Sequence, residues 1–192
     1  MSPRAGLDMK TIVVAAGGLA DELGTEQLSL ASLAARLGVR SPSLYNHIGG
    51  LPELKKALAR HGLGELYEAM RSALDAEADE DMEIMAIGRA YVAYARRRPG
   101  VYELTLKAPD QNNPGAEEAG RRILGLIMEV IRKRESGLEE EELLHTVRGL
   151  RSLLHGFASL EQHGGFGMEL DRDVTLTKIL TAYMAGVRSR EQ

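Results

Sequence analysis

Apolar side chains recur along almost the whole chain at intervals of three and four residues. Ile12, Ala16, Leu19 and Leu23 keep that spacing, which sets them on one face of a helix. Leu143, Val147, Leu150, Leu154 and Phe157 repeat it, as do Leu176, Leu180, Tyr183 and Val187, with Ile179 and Met184 alongside. No segment alternates apolar and polar residues with β-branched enrichment, so no sheet is expected and the fold class is all-α. With 192 residues, 44% of them hydrophobic, the chain can bury a substantial core in one large domain or two small ones.

Glycine and proline punctuate this pattern. Gly24 stops the first helix. A short helix is expected from Leu30 to Leu37, with Ser29 as its N-cap and Gly38 at its end. Ser41 and Pro42 open a third helix, Ser41 as cap and Pro42 at the first helical position, and Gly49-Gly50 closes it. A long helix is expected from Pro52 to about Ala78, with a bend possible at Gly62 and Gly64. The next carries Ile84, Ile87, Tyr91 and Tyr94 and ends at Arg96-Arg97-Arg98-Pro99-Gly100. A short helix over 101–106 and a loop over Ala108–Gly115 follow, then helices over Glu117–Lys133, with Ile123, Ile127 and Val130 on one face, and Glu139–Gln162. Gly164-Gly165-Phe166-Gly167 reads as a turn before the last helix.

Cysteine is absent, which excludes disulfides, thiolate metal sites and a cysteine nucleophile and suits a reducing compartment. No apolar run reaches the ~18 residues of a membrane helix, and Met1–Lys10 holds no signal-peptide core, so a cytoplasmic location without membrane contact is expected. The net charge of −4 argues at first against nucleic acid, but it is unevenly placed. Residues 1–61 hold seven Lys/Arg against five Asp/Glu, whereas residues 62–192 hold 17 against 23. A basic head on an acidic body is the charge pattern of a protein that meets DNA with one end.

Residues 29–48 have the make-up of a helix-turn-helix: a short scaffold helix, a glycine turn, and a second short helix beginning with small polar residues. Ala34, Leu37, Leu44 and Ile48 can bury between the two helices, leaving Ser41, Ser43 and Asn46 outward with Arg40 at the mouth. Such side chains bond base edges and phosphates. The same spacing also fits an ordinary helical hairpin with a polar outer face.

The stretch Leu28-Ser29-Leu30-Ala31-Ser32-Leu33-Ala34-Ala35-Arg36-Leu37-Gly38-Val39, followed by Ser41-Pro42-Ser43-Leu44-Tyr45-Asn46-His47-Ile48, carries a closer likeness. Residues 9–58 resemble the DNA-binding head of tetracycline-repressor (TetR/AcrR) family regulators. Ile48 stands where phenylalanine is common, and Leu51 where the family often has a lysine, a phosphate contact that Lys55 or Lys56 would have to replace. His155-Gly156-Phe157-Ala158-Ser159-Leu160-Glu161 with Gly164-Gly165-Phe166 resembles the "Trp-His-Gly" type of ligand domain, Leu154 standing in place of the tryptophan, and Arg98-Pro99-Gly100-Val101-Tyr102 fits the same group. The resemblance implies about nine helices: a three-helix DNA-binding head over 1–50 and a ligand-binding and dimerisation bundle over 51–192. It further implies a homodimer built on the last two helices and an inducer pocket in the body.

The expected function is that of a ligand-responsive transcriptional repressor on a pseudo-palindromic, double-stranded operator, without enzymatic activity or cofactor. Ser29, Arg40, Tyr45, His47 and Lys55 are the phosphate-side candidates, and Arg40, Ser41, Pro42, Ser43 and Asn46 the base-side ones. Tyr91, Tyr94, Tyr102, Met128 and Phe157 are candidate walls for a small-molecule effector, with His145 or His155 as polar anchor and the Ala108–Gly115 loop as gate. These aromatic residues suit a plain core equally well. Leu150, Leu154, Phe157, Leu180, Tyr183 and Val187 are the candidate dimer residues. Glu141 and His145, at i and i+4, can start a metal site but recur by chance, and no metal is expected. An adaptor whose head has lost DNA binding and a small helical enzyme are the competing classes. DNA binding separates the first, and the lack of a Gly-x-Ser-x-Gly or any other catalytic constellation disfavours the second.

Overall fold

A computed structural model describes residues 7–106 and 113–188, so the greater part of the expected gate loop, 108–112, lies outside the described residues. The described residues form nine α-helices and no strand: α1 (Met9–Leu23), α2 (Leu30–Leu37), α3 (Ser41–Leu44), α4 (Leu51–Asp75), α5 (Glu83–Arg97), α6 (Pro99–Leu104), α7 (Pro114–Arg134), α8 (Glu140–Gln162) and α9 (Arg172–Arg188). A 3-10 turn, Glu80–Met82, precedes α5. The chain divides into two compact units, Met1–Gly64 with Arg98–Glu118, and Glu65–Arg97 with Ala119–Gln192.

Most helix boundaries follow the local chemistry, and several differ from expectation; α6, expected over 101–106, starts at Pro99 and ends at Leu104. Arg40, in extended conformation, is the N-cap of α3; Ser41 is already helical and Pro42 is the second helical residue. The same helix stops at Leu44 rather than running to Ile48, because Tyr45–His47 tighten into a turn whose His47 amide reaches back only three residues, to the Leu44 carbonyl at 2.9 Å. α4 runs unbroken through Gly62 and Gly64 and ends at Asp75. Pro114 and Gly115 begin α7 rather than close a loop, as proline does at a helix start.

The first unit packs α1–α3 and the start of α4 around Ile12, Ala16, Leu19, Leu28, Leu33, Leu44, Ile48, Leu54 and Leu58, all at most 3% exposed. Leu23, expected on the buried face of α1, is 42% exposed at the helix end, and Ala20 is buried instead. The unit also takes in α6, which packs on α1 although some 75 residues separate them. No side chain of its own caps α6. Asp21 of α1 does so from across the packing: the Gly100 and Val101 amides each donate to Asp21 Oδ1 at 3.0 Å. Arg98 Nε lies 3.3 Å from the other carboxylate oxygen, and Thr25 Oγ1 donates to Glu103 Oε2 at 2.9 Å. The backbones meet at Gly100, where a Cβ would sit 2.0 Å from the Ala20 carbonyl oxygen.

In the second unit α5 buries Ile84, Ile87, Tyr91 and Tyr94, and α8 buries all five residues of its apolar stripe. Leu176, Leu180 and Met184 of α9 are also buried. Small residues permit close approach here too. A Cβ on Gly88 would meet Leu180 Cδ1 at 2.8 Å, and one on Gly149 would meet the Tyr183 hydroxyl at 2.3 Å. That hydroxyl donates to the Thr146 carbonyl at 2.7 Å. The buried Glu83 carboxylate accepts from Lys133 Nζ at 3.0 Å, which raises the Lys133 pKa.

Two glycines of the first unit should answer oppositely to the same substitution. Gly100→Ala drives a methyl into a backbone carbonyl and should cost about 3 kcal/mol or more, at or above the upper end of ordinary overpacking. Gly18, where a Cβ meets nothing within 4 Å, should gain about 1 kcal/mol as Gly18→Ala through helix propensity alone. Urea unfolding midpoints of the two variants check both signs.

Candidate nucleic-acid interface

The interface is built from α2, α3 and the turns that flank them. α2 starts with a reciprocal cap: Ser32 N donates to Ser29 Oγ at 3.0 Å and Ser29 N donates to Ser32 Oγ at 3.1 Å. It ends at Gly38 in left-handed conformation (φ 65), where the Val39 amide closes back onto the Ala34 carbonyl at 3.0 Å. This reversal needs a positive φ, which glycine adopts without steric cost. Arg40 then extends the chain, and α3 leaves along a new direction with Leu44 and Ile48 pinned in the core at 0% and 2% exposure.

Anchoring by Leu44 and Ile48 decides what faces outward. Arg40, Pro42, Tyr45, Asn46 and His47 are exposed, Tyr45 by 61%, and Ser41 and Ser43 are half-buried between them. Seven candidate residues are thereby gathered on one continuous turn of chain. Lys55 stands apart on α4 and is half-buried. Ser29 is engaged in its cap and is available to a phosphate only through its remaining hydrogen-bonding capacity. At the mouth of α4 the Gly49 amide donates to Glu53 Oε2 at 2.9 Å, so a carboxylate occupies part of that helix start.

Beside this surface α1 and α2 are tied by a fork-to-fork ion pair. Arg36 donates one nitrogen to Glu22 Oε1 at 3.0 Å and a second to Oε2. The guanidinium holds the Glu22 carboxyl below its ordinary pKa, and the carboxylate raises that of Arg36. Position on the sequence gave no sign of this pair. The hydrogen bond from the Thr11 amide similarly lowers the Asp8 pKa at the N-cap of α1.

The remaining candidates are divided between the units. Tyr102 belongs to the first, and Tyr91, Tyr94, Met128, His145, His155 and Phe157 to the second. Tyr91, Tyr94 and Phe157 are buried, Met128 and His155 are half-buried, and His145 is exposed, 3.9 Å from the exposed Glu141. Tyr94 carries a polar partner that sequence reasoning missed, for its hydroxyl donates to Glu65 Oε2 at 3.3 Å. Leu150, Leu154 and Leu180 are at most 1% exposed inside the protomer, so they lie beneath any partner-facing surface, whereas Tyr183 and Val187 are half-buried. Among the described residues no three metal-ligating side chains converge, and no helix is long and apolar enough to cross a membrane.

A buried three-helix scaffold that presents a short polar helix and its turns defines a helix-turn-helix DNA-binding regulator. Residues 84–183 match the model described as "Tetracyclin repressor-like, C-terminal domain". The HTH-type transcriptional regulator YobS of Bacillus subtilis is 38% identical over 97% of this chain and 96% of its own length. The regulator Rv0681 of Mycobacterium tuberculosis is 28% identical over 97% of this chain and 84% of its own. A Rhodococcus sp. RHA1 protein of unknown function shares the fold at TM-score 0.82 and 22% identity, covering 97% of this chain and 98% of that one. A TetR variant of Acinetobacter baumannii AYE, solved with minocycline, does so at TM-score 0.67 and 24% identity, covering 97% and 99%. The chain belongs to the TetR family of transcriptional regulators.

The Glu22–Arg36 pair sets a pH dependence. A carboxyl whose folded pKa is lowered adds stability that is fully present above its ordinary value of 4.5 and fades as pH falls through the folded value. Parent protein should therefore lose more stability than Glu22→Gln between pH 6 and pH 3, read by thermal unfolding at each pH. Parallel curves would remove the pair from the pH response.

Proposed function

We propose that this protein is an effector-responsive repressor, located in the cytoplasm, that binds a pseudo-palindromic operator as a homodimer and is released by a small molecule. The observation that carries the reading is the cluster of Arg40, Pro42, Tyr45, Asn46 and His47, exposed around the buried Leu44 and Ile48. Burial of two apolar anchors fixes the backbone, so the polar neighbours are presented to DNA without further ordering. In this reading Ser43 and Asn46, with Ser41 and Pro42, meet base edges, while Arg40, Tyr45, His47 and Lys55 hold phosphates. DNA contact thus falls to residues 1–50 together with Lys55 on α4, and ligand and partner contact to the rest of 51–192.

The effector pocket of this proposal lies within the second unit, walled by Tyr91, Tyr94, Met128 and Phe157. The Tyr94–Glu65 hydrogen bond supplies the polar contact that an apolar cavity needs for orientation. Release then follows if the effector binds more tightly to the conformation that fits DNA poorly; equal affinity for both states would shift nothing.

The dimer of this proposal is formed by α8 and α9. Leu144 and Leu160 of α8 are 39% and 51% exposed. A Cβ on Gly156, between them on the same helix, meets nothing within 4 Å. A glycine in mid-helix costs about 1 kcal/mol relative to alanine unless close packing uses it. Gly156→Arg should keep the helical circular dichroism of the parent and give a monomer mass by light scattering. A dimer mass would place the interface elsewhere.

Gel shifts with the DNA flanking the protein's own gene test the central reading. Lys55→Ala should weaken binding to all sequences alike and flatten the salt dependence by about one phosphate contact per head. Asn46→Ala should relax preference at one base pair by about 1–3 kcal/mol. Unchanged affinity and specificity in an Asn46→Ala, Ser43→Ala double variant would overturn the assigned reading face.

A further inference from the structure

Two cations of the second unit, Arg89 and Lys178, face a cleft whose one lining carboxylate, Asp173, is paired with Arg96 instead. The cleft has a volume of about 750 Å³ and runs between α5 and α9. Ala93, Val174 and Leu176 form its apolar part, and Val174 is 51% exposed there, an unfavourable place for a β-branched apolar side chain facing water. Its charged residues are distributed unequally. Arg96 is neutralised: its guanidinium donates to Glu161 at 2.6 and 3.0 Å and to Asp173 at 2.7 Å. Arg89 has only a hydroxyl, Thr177 Oγ1, at 3.2 Å. That hydroxyl is itself fixed, because it donates to the Asp173 carbonyl at 2.8 Å. Lys178 also lines the cleft, and among the described residues neither it nor Arg89 forms an ion pair.

We propose that the α5–α9 cleft binds a small anionic amphiphile, with its carboxylate or phosphate head between Arg89 and Lys178 and its apolar chain over Ala93 and Val174. The chemistry follows from the lining. Two unpaired cations favour an anion, and an arginine already oriented by Thr177 loses less freedom on binding one. Removing Val174 from water adds an apolar gain that inorganic phosphate cannot supply. Ala93 is the small residue that keeps the apolar floor open. This site is separate from the pocket proposed among Tyr91, Tyr94, Met128 and Phe157, and it does not depend on that pocket.

Isothermal titration calorimetry of the full-length protein with decanoate, decyl phosphate, decanol and inorganic phosphate tests the site. Decanoate or decyl phosphate should bind saturably at one per chain, and decanol and inorganic phosphate at least tenfold more weakly. A preference for decanoate assigns the head to a carboxylic acid, and a preference for decyl phosphate to a phosphate ester; both support the site. An Arg89→Gln, Lys178→Gln double variant should lose at least tenfold in affinity, and Ala93→Leu should block the chain. All three residues are exposed, so the variants should fold with the parent's unfolding temperature. No saturable binding of either anion, equal binding of decanol, or unchanged affinity in the double variant would each overturn the proposal. Saturable binding that leaves operator affinity untouched would retain this site and show it to be independent of DNA release.

Discussion

The contact on which the DNA-binding unit depends is the cap that α1 places on α6. A helix begins with amide groups that have no partner within the helix, and a buried amide left unpaired is costly. α6 has an arginine at its N-cap position and makes no side-chain bond there. Asp21 meets the need from another helix, taking two amides on one oxygen and facing Arg98 with the other. That geometry is reachable only because Gly100 lets the α6 backbone come against the Ala20 carbonyl. One carboxylate and one missing side chain thus join segments remote in sequence, and the compact unit carrying the helix-turn-helix is discontinuous along the chain.

This arrangement explains what the sequence made legible and what it hid. Period and punctuation are local properties, and they located every helix: the α8 stripe from Leu143 to Phe157 is buried residue for residue, and Ser29 and Gly38 bound α2 as cap chemistry requires. Exposure of Asn46 followed as well, because burial of Leu44 and Ile48 is enough to turn it outward, whereas Ser41 and Ser43, also expected outward, are half-buried. Membership of α6 in the head was not legible. Pro99-Gly100 reads as a break at the end of α5, and it is one, but the same proline opens α6 and the same glycine is its contact point. Nothing local to Asp21 says that its partners stand at 100 and 101. The dimer candidates were obscured for a related reason: apolar character marks Leu150, Leu154 and Leu180 for burial without saying whether the burial is within a chain or between chains, and they are buried within it.

Acidic composition and DNA binding are reconciled by where the charges are used. The head's excess of cations is small, and part of it is committed internally: Arg36 is held by Glu22 on both sides of its fork, and Arg98, which α6 brings to this unit, faces Asp21. A guanidinium bound to a carboxylate in this way offers little to a phosphate, since its donors are taken and its charge is screened by its partner. Under the proposed reading, the phosphate contacts that remain to each head are few, with Arg40 and Lys55 as the charged ones and Tyr45 and His47 as hydrogen-bonding ones. Counterion release scales with the number of phosphates neutralised by cations. With Arg40 and Lys55 as the only charged residues among the proposed phosphate contacts, this reading draws a larger share of affinity from base edges and from apolar contact at Pro42. Those terms change little with salt and much with sequence, so economy of positive charge favours discrimination between sites over tight non-specific binding.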